Sequence, residues 1–347
     1  MTKLKVILIL VACLSGVSTV WAQVSLTKGG SGADEFELVK SGKAAKLYYD
    51  IRDFEVIKKS AHLFSNDVRL VTDREIAVSE AVEEMSSNCI IVGTLGHNEL
   101  IDKLILKKKL DVSTLKDKWE SFHIEVVRNP FPGVKKALVV VGSDRRGTAY
   151  GLFSISESIG VSPWYWWADA PVAKRKELCL KVQKMTSEEP TVKYRGIFIN
   201  DEDWGLLRWA KTNFEKERGN IGPKTYAKVC ELLLRLKANY LCPAMHEAST
   251  AFNKIPENKL VADSFAIVMG SVHCEPLLFN NASEWDKKTM GDWDYVNNKE
   301  MLDRVLRQRV VDNSPYENVY TLALRGLHDK AMGGSSDMKE RVKLLGD

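Results

Sequence analysis

Four short, nearly continuous apolar runs with helical stretches between them dominate the second half of this chain, and few folds accommodate that pattern. They are "KYRGIFIN" from Lys193, "NYLCPAM" from Asn239, "DSFAIVMGS" from Asp263 and "NVYTLALRG" from Asn318. A strand that reads as a continuous apolar run, without alternation, is one covered on both faces, as in parallel β/α packing. The intervening pieces carry helical stripes. "GPKTYAKVCELLLRLKA" starts with Pro223 and aligns Tyr226, Val229, Leu233 and Leu236, while "NKEMLDRVLRQRVVDN" and "SSDMKERVKLLGD" read as two further helices, the last with Met338, Val342 and Leu345 on one side.

Each run is followed by a polar motif: "NDED" after the first, "HE" after the second, "HCE" after the third and "RGLHD" at the end of the fourth. In a (β/α) barrel the carboxyl ends of the strands share one face, so groups far apart in sequence converge there. That makes Asp201, Glu202, Asp203, Trp204, His246, His273, Glu275, Arg325, His328 and Asp329 candidates for one shared site. The alternative for Asp201 or Asp203 is capping of a helix starting near Leu206.

From about Glu35 to Lys184 strands and helices also alternate, as in "NCIIVGT", "SFHIEVV" and "KKALVVVGS". The expected organisation is therefore a leader over 1–22, an N-terminal α/β domain over 23–187 and a partial (β/α) barrel over 188–347. "KMTSEEPTV" is the linker. "VVVGSDRRGTAYG" places glycines between a strand and a helix, but Gly142, Gly147 and Gly151 fit neither phosphate-loop spacing, so a plain strand-to-helix turn is expected. In "GVSPWYWWADAPV" two prolines exclude a long helix, and Trp164, Tyr165, Trp166 and Trp167 suit either packing between domains or stacking on sugars.

"MTKLKVILILVACLSGVSTVWAQ" has Lys3 and Lys5 before an apolar stretch and a small residue at Ala22, the pattern of a cleaved secretory signal. Export to the periplasm or the medium is expected; lipid anchoring at Cys13 is the lesser alternative, because the apolar stretch runs past it. The net charge of +4 falls once Lys3 and Lys5 leave, and basic residues alternate with acidic ones, which argues against nucleic acid as a partner. The runs at Lys107–Lys109 and Lys174–Lys176 read as solvated faces. No later stretch is long and apolar enough for a membrane helix. Cys89, Cys179, Cys230, Cys242 and Cys274 form no paired framework; the first four suit small buried positions, and Cys274 stands apart between His273 and Glu275.

Several carboxylates with histidine and arginine, among Trp204, Trp209, Trp285 and Trp293, suit glycoside cleavage, in which one acid protonates the leaving oxygen and one carboxylate activates water or attacks. His246, His273 and His328 with acids could bind zinc, but no pair stands at helical ligand spacing, so neither a metal nor another cofactor is expected. His273 beside Cys274 makes a poor nucleophile pair, since neighbours on an extended chain point oppositely. No G-x-S-x-G elbow occurs.

"YRGIFINDEDWGLLRWA", "GSDRRGTAYGLFSISESIGVSPWYWWADAPV", "VADSFAIVMGSVHCEPLL" and "YTLALRGLHDKAM", in this order, resemble glycoside hydrolase family 115, the xylan α-1,2-glucuronidases. The likeness extends from about Phe36 to the last residue. It implies an N-terminal α/β domain ahead of the first half of a (β/α)8 TIM-type barrel, and inverting removal of glucuronic acid or its 4-O-methyl form from glucuronoxylan or aldouronic acid oligosaccharides. It places the acids of "NDED" and Asp329 at essential positions, with His273, Glu275 and Arg325 lining the pocket. A guanidinium there can hold the uronic carboxylate through two parallel hydrogen bonds. Cys274 departs from the family, whose members usually carry a second histidine there. Relatives also continue with the rest of the barrel, including a further strand-end glutamate thought to act as the acid, so this chain reads as truncated within the catalytic barrel. A non-catalytic carbohydrate-binding remnant, or another exo-glycosidase of similar domain order, are the rival readings.

Overall fold

The computed structural model describes residues 24–29, 32–80, 85–200, 202–322, 325–327, 330–331 and 337–346. The leader, Cys13, Asp201, His328 and Asp329 lie outside the described residues.

The first half contains strands β1 (Val24–Thr27), β2 (Glu35–Lys40), β3 (Lys43–Ala44), β4 (Lys46–Tyr48), β5 (Val78–Ser79), β6 (Asn88–Thr94), β7 (Phe122–Arg128), β8 (Lys136–Gly142), β9 (Leu178–Val182) and β10 (Met185–Thr186). Helices α1 (Glu55–Thr72), α2 (Glu99–Leu106) and α3 (Arg145–Ser158) lie between them. A six-stranded sheet runs β10-β7-β8-β6-β4-β5, parallel from β8 to β5 and antiparallel at β7 and β10, and a small antiparallel sheet runs β1-β9-β2-β3.

The reason β6 is apolar from Cys89 to Val92 and β8 from Ala137 to Val141 is visible in their two faces. Ile90, Val92, Leu138 and Val140 join the large core under α1 and α3, whereas Cys89, Ile91, Val139 and Val141 pack with Leu100, Ile101 and Leu104 of α2 on the other side. A strand covered on both faces has no position at which a polar side chain is hydrated. At the start of α3 the Asp144 carboxylate accepts from the backbone N–H of Arg146 and Gly147 at 2.9 Å each. The helix N-terminus is thereby occupied by the chain's own acid, as the plain-turn reading of "VVVGSDRRGTAYG" requires.

The second half contains β11 (Gly196–Phe198), α4 (Leu206–Trp209) running into one π-helical turn (Ala210–Phe214), α5 (Pro223–Arg235), β12 (Tyr240–Cys242), α6 (Pro256–Ser264), β13 (Val268–Met269), α7 (Lys287–Met290), α8 (Lys299–Asn313) and α9 (Met338–Gly346). β11, β12 and β13 form a parallel sheet in that order, with helices between, as in the first part of a (β/α) barrel. Gly196 permits the first pairing: a Cβ there would stand 1.7 Å from the carbonyl oxygen of Tyr240. One continuous apolar core joins the halves, taking Phe64, Tyr150 and Leu152 from the first and Tyr226, Leu233 and Leu241 from the second.

The second half differs from the sequence expectations in three places. "DSFAIVMGS" is a strand only at Val268–Met269, because Pro256 starts α6 and its helix consumes Asp263 and Ser264. Among its described residues "NVYTLALRG" forms one parallel bridge, Asn318 to Met269, with Val319 N–H donating to the Met269 carbonyl at 2.9 Å. Beyond it the Thr321 carbonyl accepts instead from Leu277 N–H of the neighbouring turn. β11 was expected to be buried, yet Ile197 and Phe198 are 41% and 40% exposed. Among the described residues β11 pairs with β12 alone, so its other edge is uncovered.

The cysteines at 89, 179, 230, 242 and 274 are free and buried. The two lysine runs are exposed. Within the described residues no helix is long and apolar enough to cross a membrane.

Candidate active site

The carboxyl ends of β11, β12 and β13 open on one side, and the loops that leave them hold the site. After β11 the chain turns through Glu202 and Asp203 before α4, where Gly205 occupies the cap position and no side chain caps the helix. The capping role for Asp203 is therefore not taken up. Glu202 is completely buried, Asp203 is exposed, and Trp204 is 81% exposed.

The Glu202 carboxylate reaches across to the loop after β12. Its Oε1 accepts from the backbone N–H of Met245 at 2.7 Å and of His246 at 2.6 Å, while Oε2 is buried with no hydrogen-bond partner. His246 Nδ1 lies 3.8 Å from Glu202 Oε2 and 3.5 Å from Asp203 Oδ2. Sequence separates these residues by more than forty positions; parallel packing of β11 and β12 brings them together. Nitrogen and carboxylate oxygens of Glu202, Asp203 and His246 fall within 4.8 Å of one another, so this trio could hold a cation. Of the other histidines weighed as ligands, His273 is exposed and outside this trio, and His328 lies outside the described residues.

Glu275, after β13, is joined to the trio indirectly. The Asn280 side-chain amide nitrogen donates to Glu275 Oε1 at 3.0 Å and to the Met245 carbonyl at 2.8 Å. Burial pushes the Glu275 carboxyl up to about 8, against the stabilising Asn280 bond and helped by the nearby charges of Glu284 and Glu202. Burial thus favours its neutral form. Cys274 is buried next to exposed His273, so the two do not act on one point.

The fourth motif is held through its backbone. Asn281 donates from its side chain to the Gly326 carbonyl at 3.2 Å, and Trp293 Nε1 donates to the Arg325 carbonyl at 2.8 Å. Asn280 and Asn281 thus fasten the loops after β12 and β13 and the fourth motif together, a function that nothing in "FNNAS" signals in the sequence.

Of the four tryptophans expected around the acids, three are used in packing. Trp285 and Trp293 meet edge to face at 4.9 Å, with Phe279 stacked on Trp293, and Trp209 packs with Trp166, Trp167 and Phe214 at 5.1 to 5.5 Å. Tyr165 donates to Glu231 and Trp167 to the Lys228 carbonyl, so the "WYWW" loop packs the two halves together, with Trp164 left half exposed. Only Trp204 of the four remains available as a stacking surface. A cleft of about 760 Å³, bordered by Trp119, Lys193, Tyr194 and Glu317, opens at the amino ends of the strands and is remote from the acids.

Residues 187–347 match the family model "Glycosyl hydrolase family 115". The chain is 38% identical to a solved structure described as a family GH115 4-O-methyl-α-glucuronidase, BtGH115A, with specificity for decorated arabinogalactans; the overlay has a TM-score of 0.78 and covers 90% of this chain and 39% of that one. This chain thus spans well under half the length of that relative. A family GH20 exo-β-N-acetylglucosaminidase from Vibrio harveyi overlays at 11% identity and a TM-score of 0.43, covering 94% of this chain and 49% of that one. No curated protein sequence matches.

Proposed function

Because the chain belongs to glycosyl hydrolase family 115, we propose that it releases α-1,2-linked glucuronic acid, or the 4-O-methyl form, from glucuronoxylan by inverting hydrolysis. The observation that carries this reading is the exposed Asp203 carboxylate 3.5 Å from His246 Nδ1, at the carboxyl ends of adjacent parallel strands. In the proposed mechanism Asp203, Asp201 and Asp329 supply the acid and base functions. Inversion asks for two carboxyl groups about 6.5 to 9.5 Å apart, with a water between one of them and the anomeric carbon. Arg325 holds the uronic carboxylate with its planar fork, Trp204 stacks on the sugar face, and His246, His273 and His328 position hydroxyl groups. Export past a leader ending at Ala22 belongs to the same proposal, since polysaccharide does not enter the cell.

A second substrate reading comes from the 38% identical relative, whose described specificity is for decorated arabinogalactans. One experiment separates the two. The purified chain is incubated with aldouronic acids and with glucuronic-acid-decorated arabinogalactan, and release is followed by proton NMR. Early appearance of the β-anomer supports inversion. Release from neither substrate, with saturable binding abolished by Arg325→Ala, replaces hydrolysis by carbohydrate binding.

A further inference from the structure

We infer that Glu202 is a positioning residue: its carboxylate ties the loop after β12 to the loop after β11 and sets His246 against Asp203, and it is Asp203 that meets the sugar. The consequence for turnover rests on the hydrolase reading above; the tie itself is geometric.

Accessibility separates the two neighbouring acids. A group that exchanges a proton with a sugar oxygen must come within hydrogen-bond reach of it. Glu202 has no exposed surface, while the Asp203 side chain is 40% exposed. The buried carboxylate is instead used on backbone. Two successive amides, Met245 and His246, converge on one oxygen at 2.7 and 2.6 Å, the short contacts of charge-assisted bonds. The Met245 carbonyl in turn accepts from Asn280, which also holds Glu275. Glu202 therefore heads a connection through the loops of three strands.

Its second oxygen explains why an acid is needed where an amide side chain could also accept from backbone. A buried oxygen without a hydrogen-bond partner is costly. Here Oε2 faces His246 Nδ1 at 3.8 Å, and Asp203 Oδ2 faces the same nitrogen at 3.5 Å. Two carboxylate oxygens near Nδ1, Oε2 acting by charge from beyond hydrogen-bond reach, favour the tautomer with its proton there, leaving Nε2 as the acceptor. Replacing Oε2 with an NH₂ group would remove that charge and set a donor facing Nδ1.

The test uses the isotope-labelled chain and four variants, Glu202→Gln, Glu202→Ala, Asp203→Asn and Asp203→Ala. Both Glu202 variants are expected to move the Met245 and His246 amide resonances upfield, and Glu202→Gln to displace the His246 ring nitrogens; Asp203→Asn leaves the Met245 amide in place. With aldouronic acid, Glu202→Gln is expected to lower kcat about 10- to 100-fold with KM within about 2-fold. Added formate returns part of the turnover lost in Asp203→Ala and none of that lost in Glu202→Ala, since formate reaches only an exposed vacancy. Unmoved Met245 and His246 amides in Glu202→Gln, or formate rescue of Glu202→Ala, would overturn the assignment. Should the unmodified chain release no sugar, the hydrolase reading falls, and the amide shifts alone still decide for or against the tie.

Discussion

Arg235 of α5 forks onto Asp67 of α1, Nη1 to Oδ2 at 2.8 Å and Nη2 to Oδ1 at 2.9 Å, with both side chains out of solvent. The guanidinium lies over the rings of Phe153 and Tyr165 at 4.8 and 4.7 Å and also donates from Nε to Glu231. This joint holds the N-terminal half to the partial barrel, which fixes the strands whose ends carry the acids.

Removing one member of a buried ion pair leaves the other charge uncompensated. Arg235→Met is expected to cost about 3 to 5 kcal/mol in urea unfolding. The double variant Asp67→Leu with Arg235→Met should be less destabilised than Arg235→Met alone; an additive double variant would show that the charges do not couple.

Glu215 is the buried cap of α5. It accepts from the backbone N–H of Gly222, Lys224 and Thr225 at 2.9, 3.2 and 2.9 Å, and from the Thr225 hydroxyl at 2.5 Å. Glu215→Ala strands those donors at a helix N-terminus, and a loss of about 1 to 3 kcal/mol is expected from denaturant titration. Glu215→Gln, which can still accept, should lose less.

Glu275 gives the fold a pH dependence of definite sign. Its folded value of about 8 lies above the ordinary carboxylate value of 4.5, so between these limits the folded state retains a proton that the unfolded chain releases. Its contribution is complete below about 4.5 and is lost as pH rises toward 8. Relative to Glu275→Gln, the unmodified chain should lose thermal stability from pH 5 to pH 8. Parallel melting curves across that range would refute the burial argument. The charges of Glu202, Glu284 and Arg309 act on the same carboxyl, so Glu284→Gln should reduce the slope without abolishing it.

Trp204 is the exposed ring beside the acids. Under the proposed function, Trp204→Ala should raise KM for aldouronic acid several-fold with kcat little changed, the signature of binding common to ground and transition states. Equal losses in kcat and kcat/KM would place the ring in the chemical step instead.

Gly196→Ala should disrupt the β11–β12 pairing, since its Cβ would meet the Tyr240 carbonyl oxygen at 1.7 Å. An expected loss above about 2 kcal/mol, measured by thermal or urea unfolding, follows from the absence of any flexible side chain that could yield.

Much of this fold is legible in the sequence alone. Runs such as "NCIIVGT" and "KALVVVG" announce strands covered on both faces, because hydration of even one polar position would exclude them from that place. Pro223 with the Tyr226, Val229 and Leu233 stripe announces α5 for an equally local reason. The polar motifs at the strand ends are a sequence property too, as is the likeness to family 115. What the tertiary structure alone decided is how neighbours in one motif differ: Glu202 is buried onto the amides of Met245 and His246, while Asp203 stays in solvent. It also decided that Trp209, Trp285 and Trp293 pack, that Asn280 bridges Met245 and Glu275, and that the described part of "NVYTLALRG" makes one bridge where its composition promises a strand. Hydrophobic periodicity fixes which side of a strand or helix seeks cover, because it depends on near neighbours in the chain. The partner that each polar atom finds depends on loops brought together from separate strands, and no local pattern encodes that meeting.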